Sequence, residues 1–242
     1  MASPTDFRAP DSAAAPALDR SRHAAPQVLD YLREQIIALA LPPGSVLSRP
    51  EIAANFGLSQ TPVRDALIRL AEEGLVDVFA QHKTVVSRID LRAAKQAHFL
   101  RRSLELEIAR TLAKTPDREL VGALRSVIVR QEQSLAAGDY EGLIDNDREF
   151  HRRMYEAAGV PDLYAVVRRH SGHIDRLRRL HVPFPGKGPS VIEEHRRILE
   201  AIAVGDQEEA ARSVEKHLSG TLSWIDGVHA QFPEYVINDS AD

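Results

Sequence analysis

The run from Ser59 to Val76 constrains this chain more than any other stretch, because a helix start, an apolar stripe and a helix stop fall there at compatible spacing. Ser59 stands where an N-cap hydroxyl accepts from the orphan amides of a first turn. Pro62 falls early enough in that turn to be tolerated, and Gly74 closes the helix. Val63, Ala66, Leu67 and Leu70 recur at helical spacing and form one apolar stripe. Gln60, Thr61, Arg64 and Arg69 lie outside it, mostly near the amino end, where a DNA-reading helix touches bases and phosphates.

The flanks decide what kind of domain holds such a helix. Apolar residues at 28, 29, 32, 36 and 39 predict a helix over Val28–Leu39, stopped by Leu41 to Gly44. Pro50 to Phe56 predicts a second, short helix, and Gly57 with Leu58 supplies the tight turn into the third. Downstream, Leu75–Phe79 and Thr84–Ile89 are β-prone runs on either side of Ala80–Lys83, which predicts a hairpin, or wing. The whole pattern is carried by Pro43, Gly44, Leu47, Ser48, Glu51 to Ala53, Phe56 to Ser59, Thr61 to Leu67, Leu70, Glu73 to Val76 and Val86. It resembles the winged helix-turn-helix domain of the GntR family of bacterial transcription regulators over about residues 26 to 89. The resemblance implies binding to double-stranded operator DNA through Arg49, Ser59, Gln60, Thr61, Arg64 and Arg69, with His82 and Lys83 on the wing. Three positions depart from the family pattern: Arg49 replaces a usual acidic residue, Gln60 a common arginine, and Lys83 a usual glycine. Glutamine suits adenine and arginine suits guanine or phosphate, so Gln60 and Arg49 bear on which operator is read. Lys83 suits a phosphate or minor-groove contact.

Charge and composition narrow the remaining classes. Between Arg20 and Ile89 eight basic residues face seven acidic ones, so attraction to DNA must come from placement rather than excess. A formal charge of -4 over the whole chain argues against a generic polyanion binder. With 242 residues, two modest domains are expected. Absence of cysteine excludes a disulfide framework and fits a reducing compartment. No apolar run reaches the length of a membrane span, and the amino end lacks the apolar core of a secretion signal, so a cytoplasmic protein without membrane contact is expected. Residues 1–25, rich in Ala, Pro, Ser and Asp, predict a disordered tail. Residues 231–242 predict a second loose end, in which Tyr235, Val236 and Ile237 are available to dock on a partner surface.

From Asp90 onward the pattern turns amphipathic and helical, with breaks at Pro116, Gly138, Gly159, Pro183 to Pro189 and Gly205. The chain is therefore expected to be mainly α: a winged helix-turn-helix domain over 26–89 and an all-α bundle of about six helices over 90–230. The helices are expected near 90–114, 117–137, 139–158, 161–181, 189–204 and 207–230. Asp90, Asp117, Asp139, Asp162 and Asp206 fall near their starts, where a carboxylate caps and complements the dipole.

Asp147 and His151 are four apart on the third of these helices and share one face. If the fifth and sixth helices surround it, His195 and His217 converge on the same point. Three imidazoles and one carboxylate suit zinc first, with nickel, manganese and ferrous iron open, since no thiolate narrows the choice. The segment Asp147 to His151, with Phe150 inside it, the segments around Glu194–His195 and Glu215–His217, and Leu100 to Glu105 resemble the FCD effector domain of the FadR subfamily of GntR regulators. That resemblance spans about residues 90 to 228 and implies that Asp147, His151, His195 and His217 coordinate a divalent metal. It also implies that Arg101 projects into an effector cavity, where a guanidinium clamps a carboxylate; the alternative is an ion pair with Glu105 on the same helix. His170, His173 and His181 share the 161–181 helix with Arg168, Arg169, Arg176, Arg178 and Arg179. A hydrated surface is expected there rather than a second ligand cluster or a nucleic-acid patch.

The resulting expectation is a non-enzymatic, homodimeric DNA-binding regulator, a repressor, whose operator affinity responds to a small carboxylic acid bound at the metal. Two rivals stand beside it. One is a hydrolase that uses the same Asp/His centre, with Glu149 or Glu194 as base. The other is a regulator with a purely structural ion and a separate effector such as an acyl thioester.

Overall fold

A computed structural model describes residues 16–79 and 83–237, and these form two compact units. The described residues up to Asp90, joined by those from Pro233 onward, make the first unit; Leu91–Phe232 makes the second.

In the first unit, α1 (Ala24–Ile37), β1 (Val46–Leu47), α2 (Arg49–Phe56), α3 (Gln60–Glu72), β2 (Val76–Val78) and β3 (Thr84–Val86) follow in order. Each boundary has a local cause. Ser48 caps α2 by accepting from Glu51 N at 3.4 Å, and Gly57 ends it in the left-handed region at φ 62°. Gly74, at φ 71°, closes α3 with Leu75 N donating to Leu70 O at 2.9 Å. Ser59 does occupy the N-cap position of α3, but its side chain makes no capping hydrogen bond. Helix α1 starts before the expected Val28 and ends at Ile37, because Leu39 turns into the left-handed region at φ 60° instead of continuing the helix. The expected tail over 1–25 is thus shortened: Asp19 accepts from Ser21 N at 2.8 Å and its own amide donates to Gln27 Oε1 at 2.8 Å, a folded turn in front of α1. Residues 1–15 lie outside the described residues.

The sheet order is β1-β3-β2, all antiparallel, so the wing hairpin gains β1 as a third strand. Val28, Leu32, Ile36, Val63, Leu67, Leu70, Leu75 and Val86 fill the core beneath it. Arg33 clamps Glu73 with two nearly parallel bonds, Nε to Oε2 at 2.8 Å and Nη2 to Oε1 at 2.5 Å, fixing α1 against the end of α3. The carboxyl end corrects the loose-tail expectation. After β4 (Ile89–Asp90), strand β5 (Val236–Ile237) pairs with it in parallel, and Val236 is buried. Arg88 secures this return by donating to the carbonyls of Pro233, Glu234 and Val236 at 2.7, 3.0 and 2.9 Å.

The second unit is helical: α4 (Leu91–Lys114), α5 (Arg118–Ala136), α6 (Tyr140–Ala157), α7 (Pro161–His170), α8 (Gly172–His181), α9 (Lys187–Val204), α10 (Gln207–Leu222) and α11 (Ile225–Gln231). Asp117, Asp139 and Asp206 accept from first-turn amides of α5, α6 and α10, as their positions suggested. Two breaks exceed the expected six helices. Ser171 interrupts the 161–181 segment, its hydroxyl donating back to Val167 O at 2.8 Å, and Ser223–Trp224 separates α10 from α11. The core runs through Ile108, Leu112, Leu124, Ile128, Phe150, Met154, Ile198, Ile202, Val214 and Leu218.

Candidate metal centre and nucleic-acid interface

Three helices of the second unit bring the expected ligand residues into this apolar core. Asp147 and His151 lie one turn apart on the inward face of α6, His195 comes from α9 and His217 from α10. All four are buried, at 2, 1, 0 and 5% exposure, and one ligand atom from each lies within 4.8 Å of all the others. His151 Nε2 is 3.1 Å from His217 Nε2, which is 3.3 Å from His195 Nε2. Asp147 Oδ1 lies 3.6 Å from His195 Nε2 and 3.8 Å from His217 Nε2.

The opposite edge of each ring faces an acceptor. His195 Nδ1 is 2.9 Å from Gln131 Oε1, and His217 Nδ1 is 3.1 Å from Glu194 Oε2. His151 Nδ1 is 2.8 Å from Glu105 Oε2, a contact short enough but poorly aligned for a hydrogen bond. Acceptors at Nδ1 place the ring proton there and turn three Nε2 lone pairs toward one another. Burial, reinforced by Arg101, pushes His151 down to about 4, and burial with His217 holds His195 well below its usual range, so both rings are neutral. Burial opposes ionisation of Asp147, yet Arg178 and the surrounding imidazoles outweigh it and hold the carboxyl well below the usual carboxylate range. Arg178 binds Asp147 Oδ2, while Oδ1 is buried with no hydrogen-bond partner.

Converging lone pairs beside an orphaned carboxylate oxygen are unfavourable unless a cation lies among them. The spacing fits one: zinc–nitrogen bonds of about 2.0–2.1 Å place tetrahedral nitrogen pairs about 3.3 Å apart. The residues present therefore suit a divalent ion. Phe150 stacks on His195 with ring centroids 4.1 Å apart and planes 10° from parallel, which fixes that ring within the core.

Arg101 makes the expected ion pair with Glu105 on its own helix. It lines a cavity beside Asp147 and His217, and its Nε donates to Glu105 Oε1 at 2.7 Å. The pair is buried, not a surface ion pair. Burial opposes ionisation of Glu105, but Arg101 and His151 bring its carboxyl down to about 2. The hydrated-surface expectation for the basic 161–181 segment is corrected. Arg169 and His170 are exposed, but His173, Arg176, Arg178, Arg179 and His181 are buried on α8. Carboxylates make that burial tolerable: Arg178 pairs with Asp147, Arg179 with Glu141, and Arg168 with Asp175 at 2.5 Å.

Glu105 and Gln131 were not recognised as supporting the ligands, although a signal existed. Both are polar residues lying on otherwise apolar stripes, Glu105 with Ile108, Ala109 and Leu112 on α4, Gln131 with Leu124, Val127 and Ile128 on α5. Lys187 and His181, which also line the cavity, carried no comparable signal.

In the first unit, Gln60, Thr61 and Arg64 are exposed on the amino-terminal half of α3, and Ser59 is exposed just before it. Arg69 is exposed too, but five residues beyond Arg64 it is rotated about 140° around the helix, so the two arginines cannot face the same base step. Arg49, at the start of α2, is half-buried, and Lys83 is exposed beside β3. His82 lies outside the described residues.

A winged helix-turn-helix followed by a helical unit with a buried ligand set defines a DNA-binding transcription regulator. The sequence matches the family of bacterial regulatory proteins called gntR over residues 24–86 and the FCD domain over residues 96–220. It is 37% identical, over 87% of this chain and 88% of the relative, to an HTH-type transcriptional regulator in an unstable DNA locus of Streptomyces ambofaciens. It is 24% identical to the HTH-type transcriptional repressor RspR of Escherichia coli strain K12, over 79% of this chain and 84% of that protein. In fold it resembles E. coli McbR/YncC, with a TM-score of 0.74 and 22% identity, covering 87% of this chain and 99% of that one. A putative GntR regulator from Rhodococcus sp. RHA1 follows with a TM-score of 0.69 and 22% identity, covering 84% and 97%. The chain belongs to the GntR family and carries an FCD domain. These relatives are regulators, not enzymes, which sets aside the hydrolase rival. Its supposed base Glu149 is engaged with Arg152 and Arg153, and Glu194 accepts from His217. Among the described residues, no helix is long and apolar enough to cross a membrane.

Proposed function

We propose that this chain is a homodimeric, cytoplasmic repressor whose grip on a pseudo-palindromic operator is set by a small carboxylic acid bound beside a divalent metal, zinc first among the candidates. The observation that carries the reading is the inward convergence of three imidazole Nε2 atoms and the orphaned Asp147 Oδ1 next to a cavity lined by Arg101 and Arg178. A divalent ion there supplies positive charge and an open coordination position for a carboxylate. The chain's own residues do the rest. Gln131, Glu105 and Glu194 hold the three rings in the tautomer that presents Nε2, Arg178 orients Asp147, and Arg101 stands ready to pair with the acid's second oxygen.

Control of DNA then follows from linkage. An acid that favours one arrangement of the dimer's helical units changes the spacing of the two α3 helices and so the affinity for two half-sites. A tenfold to hundredfold change in operator affinity needs a coupling of about 1.4–3 kcal/mol. On α3, Gln60 and Arg64 are assigned base contacts, while Ser59, Thr61, Arg69, Arg49, His82 and Lys83 are assigned contacts to phosphate or groove edge.

The test is a thermal-shift screen of small carboxylic acids with and without a chelator, followed by operator titrations. A shift seen only with metal present supports the reading; shifts that ignore the chelator count against it. Arg64→Ala should abolish operator binding and keep acid uptake, whereas His195→Ala should do the converse. Loss of both activities in either variant contradicts the division of labour between the two units.

A further inference from the structure

Two buried polar side chains line the cavity, and one of them lacks any hydrogen-bond partner. His181 is 1% exposed, and neither of its ring nitrogens has a hydrogen-bond partner. Lys187 is 5% exposed, and Glu194 and Asp147 are the acidic groups that act on its ammonium. Both line the same cavity as Asp147, Arg101 and His217. Burial lowers the Lys187 pKa from its ordinary value, against the opposing pull of Glu194.

Position favours an anion near Lys187. Lys187 is the first residue of the 18-residue helix α9, where the helix dipole is positive and a cation is misplaced. That helix has no side-chain cap and no acidic residue in its first turn. Gly220, inside α10, lies against the ammonium: a Cβ there would lie 2.7 Å from Lys187 Nζ, so the flexible lysine end would have to shift.

Charge counting indicates how much anion is missing. Arg101, Arg178 and Lys187 are matched in number by Glu105, Asp147 and Glu194, so the two positive charges of a divalent ion would stand uncompensated. The cavity wall also includes the apolar side chains of Leu143, Ile144, Val182 and Val191. We propose that the effector is a dicarboxylic acid, with one carboxylate beside Asp147 and Arg101 and the other bound by Lys187 and His181. This inference rests on the acid-sensing reading above and adds the class of acid.

The experiment titrates the zinc-loaded full chain by calorimetry with succinate, glutarate and adipate, with the monoacids of equal carbon number, and with inorganic phosphate. One diacid should bind at least tenfold tighter than its monoacid counterpart. In Lys187→Met that preference should vanish while monoacid affinity stays within twofold, and Lys187→Arg should retain part of it. Gly220→Ala, which crowds the ammonium and spares its charge, should weaken diacids alone, and it carries the test should Lys187→Met fail to fold. Monoacids binding as tightly as diacids, a preference that survives Lys187→Met, or phosphate binding more tightly than every diacid would overturn the inference and leave acid sensing intact. Binding of no acid at all would overturn both.

Discussion

Replacing Gln131 by leucine separates a metal centre from an accidental cluster of polar residues. Gln131 is fully buried; its Oε1 faces His195 Nδ1 at 2.9 Å, while its Nε2 is buried without a partner. In metal-free protein the substitution gives up one hydrogen bond of about 0.5–1.5 kcal/mol but removes an unsatisfied amide that costs about 1–3 kcal/mol, so stability should barely change. In metal-loaded protein the same change frees His195 to carry its proton on Nε2, the atom that must ligate. Loss of such an outer partner weakens metal affinity about 10–100-fold. That equals about 1.4–2.7 kcal/mol, or a fall in melting temperature of about 3–11 °C at a fixed limiting excess of zinc. Calorimetric scans with zinc and with chelator, together with competitive zinc titration, measure both halves. Equal destabilisation in the two conditions with unchanged zinc affinity would refute the reasoning, because it would reduce Gln131 to a packing residue.

Acidity provides a second test, made in chelator. Buried His151 is depressed to about 4 while the unfolded ring titrates near 6.5, so the unfolded chain binds more protons between those values. Stability should be full above about 6.5 and fall as pH drops toward 4, with Glu105, held at about 2, adding a further loss below about 4.5. Urea unfolding from pH 8 to pH 4 checks this, and a flat profile between pH 7 and pH 5 would count against neutral buried imidazoles. Phe150→Ala removes the ring stacked on His195 from a fully buried site and should cost about 3–5 kcal/mol of second-unit stability, read by denaturant melts. Arg88→Ala removes the donor to three carbonyls of the returning carboxyl segment, so hydrogen exchange at Val236 and Ile237 should accelerate while exchange in α3 stays slow. Unaltered exchange at β5 would show that strand pairing alone holds it.

Local signals were the legible ones. The α3 stripe of Val63, Ala66, Leu67 and Leu70 is buried, and the turn glycines Gly57 and Gly74 adopt the positive φ their positions called for. Asp147, His151, His195 and His217 converge, as the i, i+4 spacing on α6 allowed for the first pair and the FCD resemblance implied for all four. What the sequence concealed depends on contacts distant along the chain. Strand β5 is two residues long and meets β4 across 147 positions, too little pattern to distinguish from a loose end. The basic α8 looked solvated because its neutralising partners, Asp147 and Glu141, lie on another helix. Lys187 lay in a segment rich in proline and glycine, where no periodicity marks the inward side.

The most direct measurement of the central claim is X-ray absorption at the zinc edge of the loaded full chain. Three imidazole nitrogens at about 2.0–2.1 Å with at least one oxygen are expected, and His195→Ala should remove one imidazole from the shell. An oxygen-only shell, or one indifferent to that substitution, would contradict a metal centre built from Asp147, His151, His195 and His217.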